Sequence, residues 1–174
     1  MMNQRPMNMR DLKQQIYDET LSPSTREHAY YNYWMQQAAS SAALSREEMA
    51  EMLSCAHWVN PLGDIISYLC QTKKIDVDDA KWMKARIPSE AFAHKQLLAL
   101  EAINNSSLNW KEKYMIAKGL KANWAISQIL RDVPPEEVND AQHLITSLNL
   151  GKNTRRWQLE VLSNNRTEVP DPTG

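Results

Sequence analysis

The sequence predicts an all-α protein, a compact bundle of about seven or eight short helices with no sheet. First, residues that cap helix N-termini stand three positions before a carboxylate in Ser45–Glu48, Asp76–Asp79 and Asn109–Glu112, so each pair can satisfy the first backbone N–H groups of a helix. Second, prolines such as Pro23 and Pro61 fall where a helix begins, because a missing N–H costs no hydrogen bond there. Third, the chain has no Asn-Gly or Asp-Gly pair and no long alternating run of Val, Ile and Thr that would predict a hairpin.

The same signals divide the chain into successive helices. Ser22 and Pro23 separate the first two helices, Asp76 caps the fifth, and Pro88 ends the fifth because proline cannot continue a helix. The predicted ranges are 8–21, 23–44, 45–59, 60–72, 76–88, 89–103, 109–131 and 134–148.

The C-terminal part of the chain leaves two questions open. Gly119 is the point at which the seventh range would divide into two helices, and Gly151 is the predicted C-cap of the eighth. A short tail helix is expected over 153–162. Because residues 163–174 contain two prolines, a glycine and no apolar face, they predict a flexible tail, or one that a partner orders. The domain prediction is therefore a single helical domain over 1–162.

Composition narrows the classes of function. A formal net charge of −1 argues against binding nucleic acid by bulk charge, although a local basic patch remains open. Six Trp and six Tyr accompany a single Phe, and aromatic rings with a polar group favour interfaces. Two cysteines are too few for a disulfide framework. The N-terminal residues have no apolar core of a signal peptide, and no stretch predicts a membrane span, so a cytoplasmic protein is expected.

The second predicted helix contains the strongest candidate for a partner surface. Tyr30, Tyr31, Trp34 and Met35 are large amphipathic or flexible side chains of the types found at interface centres. The alternative is that Tyr30 and Trp34 belong to the core while Tyr31 is exposed, since successive helical residues turn by ~100°. The hypothesis is that these four residues bind another protein.

A basic segment near the C-terminus is the second candidate. Arg155, Arg156 and Trp157 are adjacent, and arginine beside tryptophan can bind an acidic partner or a phosphate. The alternative is a solvated last helix on which Trp157 packs against the bundle. The three residues are predicted to bind a partner.

A lysine-edged helix supports the alternative function, a nucleic-acid-binding regulator. Lys111, Lys118 and Lys121 fall on adjoining faces if 109–131 is continuous, and Arg155 and Arg156 would add further positive charge. A helix-turn-helix that turns at the glycine of this range fits poorly, because methionine and lysine occupy positions that need a small and an apolar residue. A core helix with a solvated lysine edge is the other interpretation.

The sequence predicts no catalytic site, metal or cofactor. Cys55 and His57 stand two positions apart, so on a helix they point away from each other and cannot chelate one ion together with Cys70. Buried thiols are expected instead. Glu90 and His94 share a helical face, as do an aspartate and a histidine at 140 and 143, but such pairs are common on solvated helices. There is no Gly-rich phosphate loop and no nucleophile elbow.

The sequence therefore predicts a non-catalytic protein–protein interaction protein: an adaptor, an inhibitor or a regulatory subunit. It would act through an aromatic and basic surface, and its partner is another protein. Nucleic acid and a second copy of the chain are the other partners that the composition allows.

Overall fold

The structure, a computed structural model, describes residues 8–55 and 59–167, except for the side chains of residues 59 and 165–167. Every regular element in these ranges is helical, which confirms the all-α prediction. The ten α-helices are α1 (Met9–Tyr17), α2 (Pro23–Ser40), α3 (Arg46–Leu53), α4 (Val59–Gln71), α5 (Val77–Lys84), α6 (Phe92–Ile103), α7 (Trp110–Gly119), α8 (Asn123–Arg131), α9 (Val138–Ser147) and α10 (Lys152–Thr167). A short 3₁₀-helix, Pro135–Glu137, precedes α9.

The predicted helix boundaries agree best where a capping box was recognised. The reciprocal hydrogen bonds are formed at Ser45–Glu48, Asp76–Asp79 and Asn109–Glu112. Ser22 caps α2, its Oγ accepting from the backbone N–H of Thr25 at 3.2 Å. Local sequence therefore determines where these four helices begin.

The described residues form ten α-helices where seven or eight were predicted, because 109–131 is two helices and the tail helix is counted as well. The N–H of Ala122 donates to the carbonyl of Ala117 at 3.0 Å, and that of Lys121 to the carbonyl of Lys118 at 3.1 Å. This pair of bonds is a Schellman motif, and its left-handed residue is Lys121, with φ of 57°. Gly119 lies in the last turn of α7 instead. The prediction of a continuous lysine edge is therefore wrong, since Lys121 lies in a turn.

The last helix is longer than predicted. α10 continues to Thr167, five residues beyond the expected boundary at 162. No proline or glycine occurs between that boundary and Pro170, so nothing in the local sequence stops the helix earlier. Residues 168–174 of the predicted tail lie outside the described residues. Among the helices that the structure describes, none combines the length and the apolar character needed to cross a bilayer.

Contacts along the backbone divide the chain into two compact units, Met1–Leu98 and Ala99–Gly174, with the boundary inside α6. This division into units does not test whether residues 1–162 form one domain, so that statement stays a prediction. In the first unit α2 packs against α1 and α4, and α3 lies beside α5. Arg26 fixes α1 to α2, because its Nε donates to the Ile16 carbonyl near the end of α1 at 2.9 Å. The largest fully buried side chains of this unit are Ile16, Tyr30, Met49, Met52, Leu62, Ile65, Ile66, Leu69, Met83 and Leu97.

In the second unit α8 packs against α7 and α10, and α10 also packs against α9. Tyr114 of α7 and Gln158 of α10 are both fully buried, and the tyrosine hydroxyl donates to the Gln158 Oε1. Burial raises the pKa of Tyr114, so the hydroxyl stays protonated and remains a donor at neutral pH. A polar contact therefore connects α7 and α10 inside the core.

Two helical glycines give a matched stability prediction. A Cβ added at Gly63 in α4 would lie 2.6 Å from Cδ1 of Phe92, whereas a Cβ at Gly119 meets nothing within 4 Å. Gly119→Ala should raise the free energy of unfolding by about 0.4–1 kcal/mol, because alanine has the better helix propensity. Gly63→Ala should fail to give this gain, because the Phe92 ring must shift to make room for the added Cβ.

Urea unfolding of both variants measures the difference, with Gly63→Ala repeated in a Phe92→Ala background. There the clash is absent, and the substitution at 63 should become stabilising by about 1 kcal/mol. Equal gains at 63 and 119 in the otherwise unchanged protein would contradict the packing of Phe92 on α4.

Candidate functional site

The aromatic residues of α2 do not share one surface. Tyr30 and Trp34 have relative exposures of 0% and 2%, and the Tyr30 hydroxyl donates to the Met52 carbonyl at 2.8 Å. Their burial removes both from the predicted partner surface and places them in the core, which was the alternative interpretation. Tyr31 and Met35, one position further along the helix in each case, are half-buried. The ~100° step between helical residues accounts for this division.

Tyr31 lies in an open groove of about 610 Å³ in the first unit. α2 forms one side of this groove, α4 the other, and α1 contributes Gln15. The lining residues are Gln15, Ser24, Thr25, Glu27, His28, Tyr31, Asn60, Pro61 and Asp64. We call this set of residues the Tyr31 groove. Its position was not predicted, although Tyr31 itself was.

The Tyr31 groove is acidic. Glu27 and Asp64 are its charged side chains, and neither lysine nor arginine lines it. Two other carboxylates of this unit have cationic partners, since Glu51 pairs with Lys13 at 2.9 Å and Asp79 pairs with Arg46 at 3.0 Å. Among the described residues no ion pair or hydrogen bond engages the carboxylates of Glu27 and Asp64. The groove therefore presents uncompensated negative charge.

Tyr31 and His28 add unpaired polar groups to the same groove. Within 8–55 and 59–167, no hydrogen bond engages the Tyr31 hydroxyl or the His28 ring. Tyr31 is half-buried, so its ring is held against the protein while one part faces the groove. A half-buried tyrosine offers a ligand an aromatic surface and a hydroxyl at a small cost in side-chain entropy.

The backbone around the groove is well fixed. The N-terminus of α2 is capped by Ser22 and has proline in its first turn. Pro61 is buried in the first turn of α4, and the Arg26–Ile16 hydrogen bond holds α1 on α2. Side chains on helices that are held in this way keep a constant separation, which lowers the cost of binding.

The three residues of the predicted C-terminal site, 155–157, also differ in their surroundings. The Arg155 Nη2 donates to the Leu148 carbonyl at the end of α9, at 3.1 Å, so Arg155 has a structural role as a helix cap. Arg156 is exposed and Trp157 is half-buried. Of the three predicted residues, Arg156 thus presents its charge most openly to solvent.

The lysines of the alternative function are accessible but scattered. Lys111 is exposed, and its Nζ lies 5.7 Å from the centre of the Trp110 ring. Lys118 is half-buried and lies about two turns further along the same face of α7. Lys121 lies in the turn after α7. The structure thus brings Lys111 and Lys118 to one side of α7 and separates Lys121 from them.

The residues weighed for metal binding and catalysis have structural surroundings. Cys55 and Cys70 are buried free thiols, as predicted, and burial raises the pKa of Cys70. His57 lies outside the described residues. The Nδ1 of His94 donates to the Ile87 carbonyl at 3.0 Å, because a carbonyl oxygen can only accept. In the part of the chain that the structure describes, no group of three His, Cys, Asp or Glu could hold a metal ion.

Sequence reasoning missed a basic and aromatic cluster between α3 and the end of α5. The guanidinium carbons of Arg46 and Arg86 lie 5.2 Å and 3.9 Å from the centre of the Trp82 ring. The local signal was the run Lys-Trp-Met-Lys-Ala-Arg at 81–86, which has the same character as the C-terminal segment. Arg46 is distant in sequence, so only the fold could add it. We call Arg46, Trp82 and Arg86 the Trp82 cluster.

The chain matches no known protein-family model, no curated protein sequence and no solved structure. Inference about function therefore rests on the residues and their geometry.

Proposed function

We propose that this chain is a non-catalytic protein–protein interaction protein and that the Tyr31 groove binds a basic segment of its partner. The observation that carries the proposal is the set of uncompensated groups in this groove: two carboxylates, a tyrosine hydroxyl and an imidazole, described above. Glu27 and Tyr31 are half-buried, and folded proteins usually pair polar groups that are removed from water. Asp64 and His28 are exposed, so a ligand can reach them. A ligand that supplies donors and positive charge satisfies them together.

The chemistry of the groove selects the class of partner. Glu27 and Asp64 attract cations, and arginine and lysine form their strongest hydrogen bonds with carboxylates. The Tyr31 ring adds a cation–π surface for the same side chains. The dimensions favour an extended segment, because the groove is open and lies between two helices. An arginine- or lysine-containing strand or loop of another protein meets all three conditions.

A titration with short peptides tests the groove directly. Hexalysine, hexaglutamate and an alternating Arg-Ala peptide are added to the ¹⁵N-labelled protein, and amide shifts are followed. The cationic peptides should shift residues of the Tyr31 groove, and hexaglutamate should not. Glu27→Gln with Asp64→Asn should weaken cationic binding by about tenfold or more, because two charge-assisted contacts are lost.

A matched pair elsewhere in the same unit controls for net charge. Glu19 and Glu47 are exposed and outside the groove, so Glu19→Gln with Glu47→Gln should leave the affinity nearly unchanged. Tyr31→Phe should keep the cation–π contribution, whereas Tyr31→Ala should remove it. If both charge-neutralised pairs bind the cationic peptides equally, bulk attraction explains binding and the groove has no special role.

Capture of partners from a lysate of the native cells, with and without nuclease, extends the test to the whole protein. A protein partner that survives nuclease and is lost on Tyr31→Ala supports the proposal. Partners that disappear with nuclease and depend on Lys111, Lys118 and Arg156 instead support the nucleic-acid-binding regulator.

A further inference from the structure

The Trp82 cluster holds two arginines over one aromatic ring at the surface of the first unit. Arg86 is the closer, with its guanidinium carbon 3.9 Å from the ring centre, which is a stacking distance. Arg46 approaches the same ring from α3 at 5.2 Å. Trp82 is half-buried, and both arginines are exposed. Both guanidinium groups therefore lie against the same ring at a solvent-exposed surface.

Each arginine is held by one further contact that leaves other donors unused. The Arg46 Nε pairs with Asp79 Oδ1 at 3.0 Å, and the Arg86 Nη1 donates to the Trp82 carbonyl at 2.7 Å. In the described ranges no hydrogen bond engages the Arg46 Nη groups, or the Nε and Nη2 of Arg86. The side chains are thus oriented in advance while keeping free N–H edges, which is the arrangement that binds oxyanions in a bidentate manner.

The charge around the cluster favours a compact anion over a long polyanion. Lys81 is exposed on α5 near Trp82 and adds positive charge. Asp76 and Asp78 lie at the N-terminus of α5, on the Arg46 side of the cluster, since the Arg46 charge contributes to lowering the pKa of Asp76. These carboxylates would repel an extended nucleic acid backbone. A phosphate monoester carries a charge of about −1.5 to −2 at pH 7, which two guanidinium groups match better than the single charge of a phosphodiester.

We propose that the Trp82 cluster is a recognition site for a phosphorylated side chain of a partner protein. Arg86 and Arg46 donate to the phosphate oxygens, and the Trp82 ring keeps both guanidinium groups in place. This site is separate from the Tyr31 groove, and its ligand has the opposite charge. The two proposals are independent, so an experiment that refutes one leaves the other unaffected.

A titration of the full chain tests the site with defined probes. The probes are the capped tripeptide Gly-phosphoserine-Gly, its unphosphorylated and glutamate counterparts, inorganic phosphate, and an oligothymidylate. The ¹⁵N resonances of the arginine Nε groups and of the Trp82 indole report on the cluster. The phosphopeptide should shift Arg46, Arg86 and Trp82 and bind at least about tenfold more tightly than the serine peptide.

Two variants separate the roles of charge and geometry. Arg86→Gln should lower the phosphopeptide affinity by about tenfold, and Arg86→Lys should lower it by less while keeping the charge. Arg131→Gln removes an exposed arginine from α8 and should have no effect. Lowering the pH from 7.5 to 5 should weaken phosphopeptide binding, because the second phosphate pKa is about 6.

Three results would overturn the proposal. One is equal binding of the phosphorylated and serine peptides. Another is an Arg86→Gln variant whose backbone spectrum is native and whose phosphopeptide affinity is unchanged. The third is tighter binding of the oligothymidylate at the same resonances, which would make the cluster a nucleic-acid contact. Shifts of the same arginine resonances by inorganic phosphate support the proposal, since they identify the phosphoryl group as the recognised part.

Discussion

Trp34→Ala is expected to lower the free energy of unfolding by about 3–5 kcal/mol, the range seen when a large buried aromatic side chain is truncated. Trp34 has a relative exposure of 2% and lies edge-on to Tyr33, with ring centres 4.9 Å apart. Truncation leaves a cavity between α2 and its neighbours that the short helices cannot fully close. Urea denaturation followed by far-ultraviolet circular dichroism measures the loss.

Tyr31→Ala is the matched control, three positions earlier on the same helix. Because Tyr31 is half-buried at the edge of a groove, its loss should cost less than about 1 kcal/mol. The two variants together separate an aromatic residue that stabilises the fold from one that is available to a ligand. Similar destabilisation by both would mean that Tyr31 belongs to the core, and the proposed groove would lose its central residue.

The Tyr114–Gln158 pair gives the second large effect. Gln158→Leu removes the acceptor of a fully buried hydroxyl, and leaving this donor unsatisfied should cost about 1–3 kcal/mol. Tyr114→Phe should cost a similar amount, because it leaves the glutamine oxygen without its donor. The double variant should be more stable than the sum of the single effects predicts, by about 0.5–3 kcal/mol.

A double-mutant cycle from chemical denaturation measures this coupling. Tyr30→Phe serves as a comparison, since its hydroxyl donates to a backbone carbonyl at 2.8 Å, an acceptor that a side-chain substitution at Met52 would not remove. Strictly additive effects of the Tyr114 and Gln158 substitutions would show that the hydrogen bond between α7 and α10 contributes nothing to stability.

The local signals in the sequence were sufficient for the fold class and for several helix starts. Capping boxes act within four residues, so Ser45, Asp76 and Asn109 could be recognised without knowledge of the fold. The end of α7 was not recognisable in this way. Its left-handed residue is Lys121, where glycine is the usual choice. Gly119, the position at which a division was expected, is the last residue of α7.

The candidate sites depended on contacts between distant residues, and the sequence could indicate them only in part. Helical periodicity left open whether Tyr30 and Trp34 face the core, and burial resolved the question. The sequence could not show that Arg155 has an acceptor. That acceptor, the Leu148 carbonyl, lies at the end of α9, and the end of a helix is difficult to predict from sequence. The Tyr31 groove and the Trp82 cluster each combine residues from helices that are far apart in sequence, which no local pattern reports.

The two proposed sites differ in charge and therefore in ligand. The Tyr31 groove carries unpaired carboxylates and suits a basic segment, whereas the Trp82 cluster carries oriented arginines and suits a phosphorylated one. Both lie in the first unit, Met1–Leu98. A protein that binds a basic segment at one surface and a phosphoryl group at another is suited to act as an adaptor or a regulatory subunit.

Site-specific photo-crosslinking from position 31 tests the central proposal most directly. A photoreactive phenylalanine derivative replaces Tyr31, or Tyr17 as an exposed aromatic control with a relative exposure of 50%, and the protein is irradiated in a lysate of its native cells. Position 31 should crosslink to a protein through a segment rich in arginine or lysine, and Glu27→Gln with Asp64→Asn should abolish the crosslink. Crosslinks that are absent from position 31, or that are the same from positions 31 and 17, would contradict the assignment of the Tyr31 groove as the partner site.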